Sequence, residues 1–264
     1  MSEPNNFDGE GEQGTCERLS QVAEGMLTIN LNGWFTKINR EGLTPGTGHG
    51  KLRHTALYST IRRHNLSLVG VQEHHFGSLT RSAEARFWLL QKGWSMTETC
   101  GDGREGVALL WKSSQWTEIS SFAVHPRLLF VELAHVSGDT LLFMVGHFCN
   151  DPVSRRKQWQ DLSRFCQHQH LKVDVSLCDH NSVLHAGATS KWATTLSSPE
   201  KRAIEVEDSV HLEWRLVDAW DSVHGEDVAS PGYTHTYHRL GTTIERRIDR
   251  IMFRHDLLPF ISSS

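Results

Sequence analysis

Residues 173–181 read Val-Asp-Val-Ser-Leu-Cys-Asp-His-Asn, a short apolar strand over Val173–Leu177 that runs straight into Asp179 and Asn181. A strand that ends this way delivers its last polar side chains to the rim of a sheet, where a crevice can form. Upstream, Asp151-Pro152 starts a helix that continues to about His168, because Asp caps and Pro suits the first turn. Downstream, Ser198-Pro199 opens another helix.

The same reading extends to both ends. Strands are predicted over 26–32, 66–72, 106–111, 117–124, 128–134, 140–148, 233–237 and 246–254. Helices are predicted over 51–65, with Leu52, Ala56, Leu57 and Ile61 on one face, and over 82–92. Some units alternate strand and helix, and a meander occupies the middle. That order favours a two-sheet α/β sandwich over a purely parallel sheet.

The chain's 264 residues suit one large α/β domain or two small ones, with room for a core that needs no disulfide or structural metal. Residues 1–25 hold six acids against Arg18, a net charge of −5, and read as a disordered acidic tail. The rest, 26–264, reads as one domain with a net charge of +1 and all 17 histidines. No apolar run approaches a membrane span, and the polar start argues against a secretory signal. Five cysteines without a CxxC pair read as reduced thiols of an intracellular protein, nuclear or cytoplasmic. No obligate protein partner is implied, and a monomer is expected.

Three patterns carry no weight. Gly101-x-Gly103-x-x-Gly106 precedes a strand rather than a helix, so no helix N-terminus is there to receive a pyrophosphate. Gly46–Lys51 is one residue short of a phosphate loop, and Leu52 stands where a Ser or Thr is needed. His74-His75 and His168/His170 lack a second cluster at zinc-site spacing and read as surface histidines.

Other polar residues gather at strand ends: Asn30 and Asn32 after LTI, Glu73 after LVGVQ, His147 after LLFMVG, Asp179 and Asn181 after VSL, and Asp249 within RRIDRIMF. Each alone has a plain explanation as a turn residue, a solvated acid or an ion-pair partner. Seven in one chain are harder to dismiss.

The series NLNGW, VQEHHF, GVALLW, CDHNSV, LVDAWDSVHG, YTHT and RIDRI, in this order over residues 26 to about 256, resembles the endonuclease/exonuclease/phosphatase family. The likeness is nearest to apurinic endonucleases and the endonuclease domains of non-LTR retrotransposons. It implies a four-layer α/β/β/α sandwich and a Mg²⁺- or Mn²⁺-dependent phosphodiesterase, with DNA the favoured substrate. By the same resemblance Glu73 and Asn30 hold the metal, and Asp179 activates water. Asn181 steadies the phosphate, His147 stands beside it, and Asp249 orients a distant His. Asn32 and Thr234 match substrate-side positions. Tyr233, Arg246 and Arg250 belong to an arginine-rich stretch, with five arginines against two acids over 233–255, that could carry a nucleic acid strand. The chemistry suits these residue types: a hard cation on oxygen ligands neutralises a phosphodiester, and a positioned carboxylate activates water.

The sequence departs from that pattern twice. Cys178 stands where the family has Gly, and His180 where it has an aromatic residue. The family also closes on a Ser-Asp-His strand, whereas no such triplet follows Asp249 here. The expectation is therefore a domain short of its last strand and catalytic segment. Two alternatives stay open: a non-catalytic remnant, and a family member acting on phospholipid or inositol phosphates.

Overall fold

All five residues of Leu68–Gln72 (β4) are buried, and the fold is understood from the two faces of this strand. In this computed structural model, which describes residues 25–38, 51–99, 105–183, 196–224, 233–239 and 242–260, β4 lies between Met26–Asn30 (β1) and Val107–Lys112 (β6). Trp94–Glu98 (β5) completes a sheet ordered β1-β4-β6-β5, in which β1 and β4 are parallel. Val69 and Val71 face helices Arg53–Arg63 (α1) and Leu79–Leu90 (α2), where they meet Leu57, Ile61, Ala85 and Leu89. Leu68 faces the other way, toward the second sheet.

That second sheet has six strands: Trp116–His125 (β7), Leu128–His135 (β8), Thr140–His147 (β9), Val175–Asp179 (β10), Leu216–Asp218 (β11) and Asp249–Arg254 (β14). They are ordered β11-β14-β10-β9-β8-β7. β10 runs parallel to β9 and antiparallel to β14. Its inner residues Val175 and Leu177 join Leu129, Val131, Phe143, Val145 and Phe253 in the inter-sheet core. The sheet's outer face packs on Pro152–Gln169 (α3) and Ser198–Trp214 (α4), with Phe130, Met144 and Cys178 meeting Trp159 and Trp214. The result is the expected α/β/β/α sandwich. Short pieces complete it: the pair Lys37–Ile38 (β2) and Lys51–Leu52 (β3), helix Ala219–His224 (α5), and the hairpin His235–Arg239 (β12) with Thr242–Arg246 (β13).

The helix starts follow local chemistry. Asp151 caps α3 through the Ser154 N–H at 2.8 Å, with Pro152 in the first turn. α4 is capped by Ser197, whose hydroxyl accepts from the Glu200 N–H at 3.4 Å. α2 begins three residues before its predicted start because Ser78 caps it. β5 was not anticipated. The strand expected over 246–254 is two, β13 and β14, parted at Arg247 and Ile248. The predicted tail lies outside the described residues except for Gly25, as do the Gly46–Gly50 loop and Gly101–Gly103. Among the described residues, no strand pairs with the outer side of β1, and no helix is long and apolar enough to cross a membrane.

The two sheets approach closely at Gly70. A Cβ there would lie 2.5 Å from Leu177 Cβ. Two residues on, Gln72 bridges the sheets by donating from Nε2 to the Leu177 carbonyl at 2.9 Å and to Thr28 Oγ1 at 3.1 Å. Gly70→Ala therefore wedges the layers apart and should cost roughly 1–3 kcal/mol. Urea unfolding of the variant should show a lower midpoint at unchanged slope; an unchanged midpoint would contradict this packing.

Candidate active site

Side chains alternate across a strand, so residues in register on neighbouring strands and on one face form a row. His147 on β9 is in register with Asp179 on β10, and Asp179 with Asp249 on β14. His147 and Asp179 follow inner-facing Val145 and Leu177, and Asp249 precedes inner-facing Ile251, so all three stand at the end of the sheet where the core opens. Across the gap, the first sheet supplies Asn30 at the end of β1 and Glu73 just past β4. The cleft so formed is about 510 Å³ and is lined by Asn30, Asn32, Glu73, His147, Asn150, Asp179, Asn181, Thr234 and Asp249, with Leu27, Thr28, Ile29 and Ile248.

Asp179 is the hub. Its Oδ2 accepts from Asn30 Nδ2 at 3.0 Å and its Oδ1 from the Asn181 N–H at 3.0 Å. His147 Nε2 lies 3.9 Å from Asp179 Oδ2 and 3.3 Å from Glu73 Oε1. Burial raises the Asp179 pKa, with His147, Asn30 and the Asn181 N–H pulling the other way. Burial lowers that of His147 despite both acids beside it, so a neutral imidazole is favoured. Asp249 is pushed up to about 7, first by burial and then by the charge of Asp179. Its Oδ1 is buried without a hydrogen-bond partner.

Backbone strain gathers around this cleft. Asn32, Glu73, His75 and Asn181 hold φ between 45° and 55°, in the left-handed region. Such conformations cost energy and persist where the surroundings over-determine them.

Several anticipated residues do something other than expected. Asn30 spends its amide on Asp179 and its Oδ1 on the Asn32 N–H at 3.1 Å, leaving one lone pair for any ion. Thr234 Oγ1 accepts the N–H groups of Ile248 at 3.1 Å and Asp249 at 3.0 Å, so it fixes the strand that carries Asp249. Asn181 donates from Nδ2 to the Phe148 carbonyl at 2.8 Å, which holds the loop that follows His147. Arg250 is a correction. Alternation sends it to the face opposite Asp249, where it is buried and donates to Glu207 Oε1 at 2.5 Å and Ser182 Oγ at 2.8 Å. It offers no phosphate contact. Arg247 is likewise buried against Asp221 and Asp218, and Arg254 pairs with Asp174 and Asp256. The arginine-rich stretch is mainly internal ion pairing. Arg246 is half-buried, with its charge felt at Glu200, and Tyr233 is half-buried at a neighbouring cavity. The side chains of Tyr237 and Arg239 lie outside the described residues.

Cys178 and His180, where the sequence departs from the pattern it resembles, are accommodated by their surroundings. Cys178 faces Gly146 across β9, where a Cβ would lie 2.8 Å from its Sγ. His180 stacks on Phe148 and Trp159 at 5.7 and 5.6 Å, taking the place of an aromatic ring. Its Nδ1 pairs with Glu207 Oε1 at 2.8 Å, while Ser182 donates to Oε2 at 2.6 Å. His180, Glu207 and His211 bring ligand atoms within 4.8 Å of one another, a geometry compatible with a metal site. The charge balance opposes it: Arg250 already neutralises Glu207, and burial holds His180 and His211 neutral, at about 4 and about 3. A dication would add unbalanced charge to a dry interior.

The main cleft has the opposite balance. Its lining carries three carboxylates and no Lys or Arg. A phosphate would be repelled there unless a cation changed the sign of the field. Glu73, half-exposed and aimed into the cleft, is the carboxylate placed to hold one. The donor set thus fits a divalent ion. His75 is partly exposed, with its Nε2 3.6 Å from Glu73 Oε2, whereas His74 was misread as a surface histidine. His74 is buried and bonded to the Thr99 carbonyl at 3.1 Å. Asn150 was not anticipated; it follows the His147 strand end by three residues.

The fold is shared with solved structures at low sequence identity. An AP endonuclease from Archaeoglobus fulgidus aligns with a TM-score of 0.63 and 13% identity, over 89% of this chain and 87% of its own. The 3′ phosphatase NExo from Neisseria, bound to a product DNA hairpin, gives 0.62 and 12%, over 89% and 87%. The endonuclease domain of TRAS1, a telomere-specific non-LTR retrotransposon, gives 0.52 and 14%, over 78% and 80%. These proteins belong to the endonuclease/exonuclease/phosphatase superfamily, and the sandwich seen here is that superfamily's fold. No protein-family model and no curated protein matches the sequence.

Two stability measurements test the electrostatics of the site. Asp249 keeps its proton in the folded state up to about pH 7, whereas an unfolded Asp loses it near pH 4. The native state therefore binds more protons between these values, and stability falls as pH rises through that window. In chelator, Asp249→Asn should raise the melting temperature at pH 8 and leave it nearly unchanged at pH 4; an equal shift at both would contradict the reading. Glu207→Ala should cost about 3–5 kcal/mol in chemical denaturation, since it leaves Arg250 buried without its acid.

Proposed function

We propose that the domain over residues 26–264 is a Mg²⁺- or Mn²⁺-dependent phosphodiesterase that cleaves DNA as an endonuclease. The observation that carries this reading is the row His147–Asp179–Asp249 facing Glu73 across an acidic cleft. An acidic lining is unsuited to a phosphodiester by itself and well suited to one presented on a cation. The DNA hairpin bound to NExo, a fold neighbour, supports the choice of substrate.

Asp179 is the residue assigned to take the proton of the attacking water. Its two oxygens are held from opposite sides by Asn30 and the Asn181 N–H, leaving lone pairs toward the cleft. The raised pKa increases its basicity, and a base is most effective when its pKa approaches the working pH. Asn181 and the neutral His147 are polar groups fixed beside Asp179, so they can meet charge on the phosphate oxygens without reorganising. Asp249, protonated near neutrality, adds no second negative charge beside Asp179 and can offer a proton to the leaving oxygen. Glu73, helped by the remaining lone pair of Asn30, would hold a divalent ion, which when bound would neutralise the non-bridging oxygens of the phosphate. Asn32 and Asn150 at the rim, with Tyr233 at the neighbouring cavity, are the polar contacts left for the rest of the strand.

Metal-dependent nicking of supercoiled plasmid DNA tests the proposal. The wild-type chain should nick with Mg²⁺ or Mn²⁺ and not in chelator, and Asp179→Asn should slow nicking by about 10²–10⁴. Nicking that survives Asp179→Asn would refute the assignment.

A further inference from the structure

Glu73 stands between two imidazoles, and the proposed reaction uses only one of them. His147 Nε2 faces its Oε1 at 3.3 Å, on the cleft side. His75 Nε2 faces its Oε2 at 3.6 Å, and His75 is not among the residues that line the cleft. Both Glu73 and His75 hold left-handed backbone, at φ 51° and 55°, a conformation that turns two nearby side chains to one side at a cost in local strain. The turn opposite is kept small. Gly33, at φ +103°, could not carry a side chain without striking Thr36 Oγ1, and its Cβ would lie 3.3 Å from His75 Nδ1.

We propose that His75 is a ligand to the ion held by Glu73 and tilts the site toward Mn²⁺ over Mg²⁺. This rests on the reading above, in which Glu73 holds a divalent ion. Two donors bound to one ion at about 2.0–2.2 Å lie roughly 3.0–3.6 Å apart across the angles of octahedral and tetrahedral coordination. The Glu73–His75 separation falls at the upper end of that range. It is too long for a strong hydrogen bond between the two groups. Imidazole nitrogen suits first-row transition ions, whereas Mg²⁺ prefers oxygen and keeps its water. A site of carboxylates and amides alone would bind both ions as a hard oxygen site. One carrying an imidazole should separate them.

The plain alternative is that His75, when protonated, is a counter-ion to Glu73. The two readings differ in sign. As a ligand, His75 strengthens Mn²⁺ binding, whereas as a cation it competes with Mn²⁺. His75→Asn distinguishes them, because Asn tolerates left-handed backbone and carries no imidazole. His75 is also half-exposed, so folding should be preserved, which circular dichroism checks.

Binding of MnCl2 and MgCl2 to the full chain is measured by calorimetry, and the Mn²⁺ complex by pulsed electron paramagnetic resonance for nitrogen coupling. The expected result is a Mn²⁺ affinity lower by about tenfold in His75→Asn, with Mg²⁺ affinity changed less than about twofold. The nitrogen coupling should weaken or vanish in His75→Asn. Unchanged or tighter Mn²⁺ binding with the coupling intact overturns the proposal. Loss of Mn²⁺ binding in Glu73→Gln, together with indifference to His75→Asn, overturns this inference alone. Wild-type chain that binds neither ion overturns it together with the reading that Glu73 holds one.

Discussion

The register between β9, β10 and β14 is the constraint on which the site depends. Strand spacing is about 4.8 Å, so three titratable residues in register on one face must stand side by side. A slip of one residue in β14 would exchange Asp249 for Arg250. The cleft would then gain a guanidinium, and Glu207 would face a carboxylate in a dry interior. Thr234 guards against that slip by taking the N–H groups of Ile248 and Asp249 on one hydroxyl. Glu207 guards against it from the other side, through Arg250.

This placement concentrates acids, which opposes folding, and the structure offsets the cost in two ways. Asp179 receives two donors and has a neutral imidazole nearby. Asp249 instead gives up its charge and keeps its proton to about 7. Neighbouring carboxylates driven apart in proton affinity are a recurrent basis for acid and base roles in one site. Behind the sheet the logic reverses. Burial pushes the Glu207 carboxyl upward, yet Arg250 and His180 overcome this and hold it well below the usual range. One face of β10 and β14 is poised to exchange protons and charge, and the other is locked.

Strand ends were the legible part of this sequence. The apolar runs before Glu73, His147 and Asp179 announce buried strands, and a polar residue after such a run has few places to go but the rim. The sandwich followed from the mixed order of strands and helices. What the sequence hid was the direction of side chains within RRIDRIMF. Arginine spacing there looks like a basic surface, but alternate positions on a strand face opposite layers, and Glu207, on a helix and 43 residues upstream, supplies the acid that claims Arg250. His75 was obscured for a related reason. A pair of adjacent histidines has no period of its own, and only the left-handed turn at Glu73 and His75 sends one inward and the other toward the Glu73 carboxylate. The short β5 lacks an apolar run, and its burial comes from packing against β6 rather than from its own pattern.

Cys178 and His180 sit within the Asp179–Asn181 segment without disturbing its geometry. Cys178 and Gly146 are register partners, so the bulk added on one strand is matched by a glycine on the next. His180 keeps the flat shape that stacks on Phe148 and Trp159 and adds a donor, which Glu207 accepts. A phenyl ring at that position would fill the same slot but leave Glu207 with one fewer partner against Arg250. Histidine at 180, glutamate at 207 and arginine at 250 therefore form one unit, in which removing any one leaves a buried polar group unmatched. The two carboxylates in front of the sheet are held at their distance by this arrangement behind it. Asp179 and Asn181 flank His180, and Asp249 precedes Arg250, so each bond made on the locked face fixes a residue on the open one.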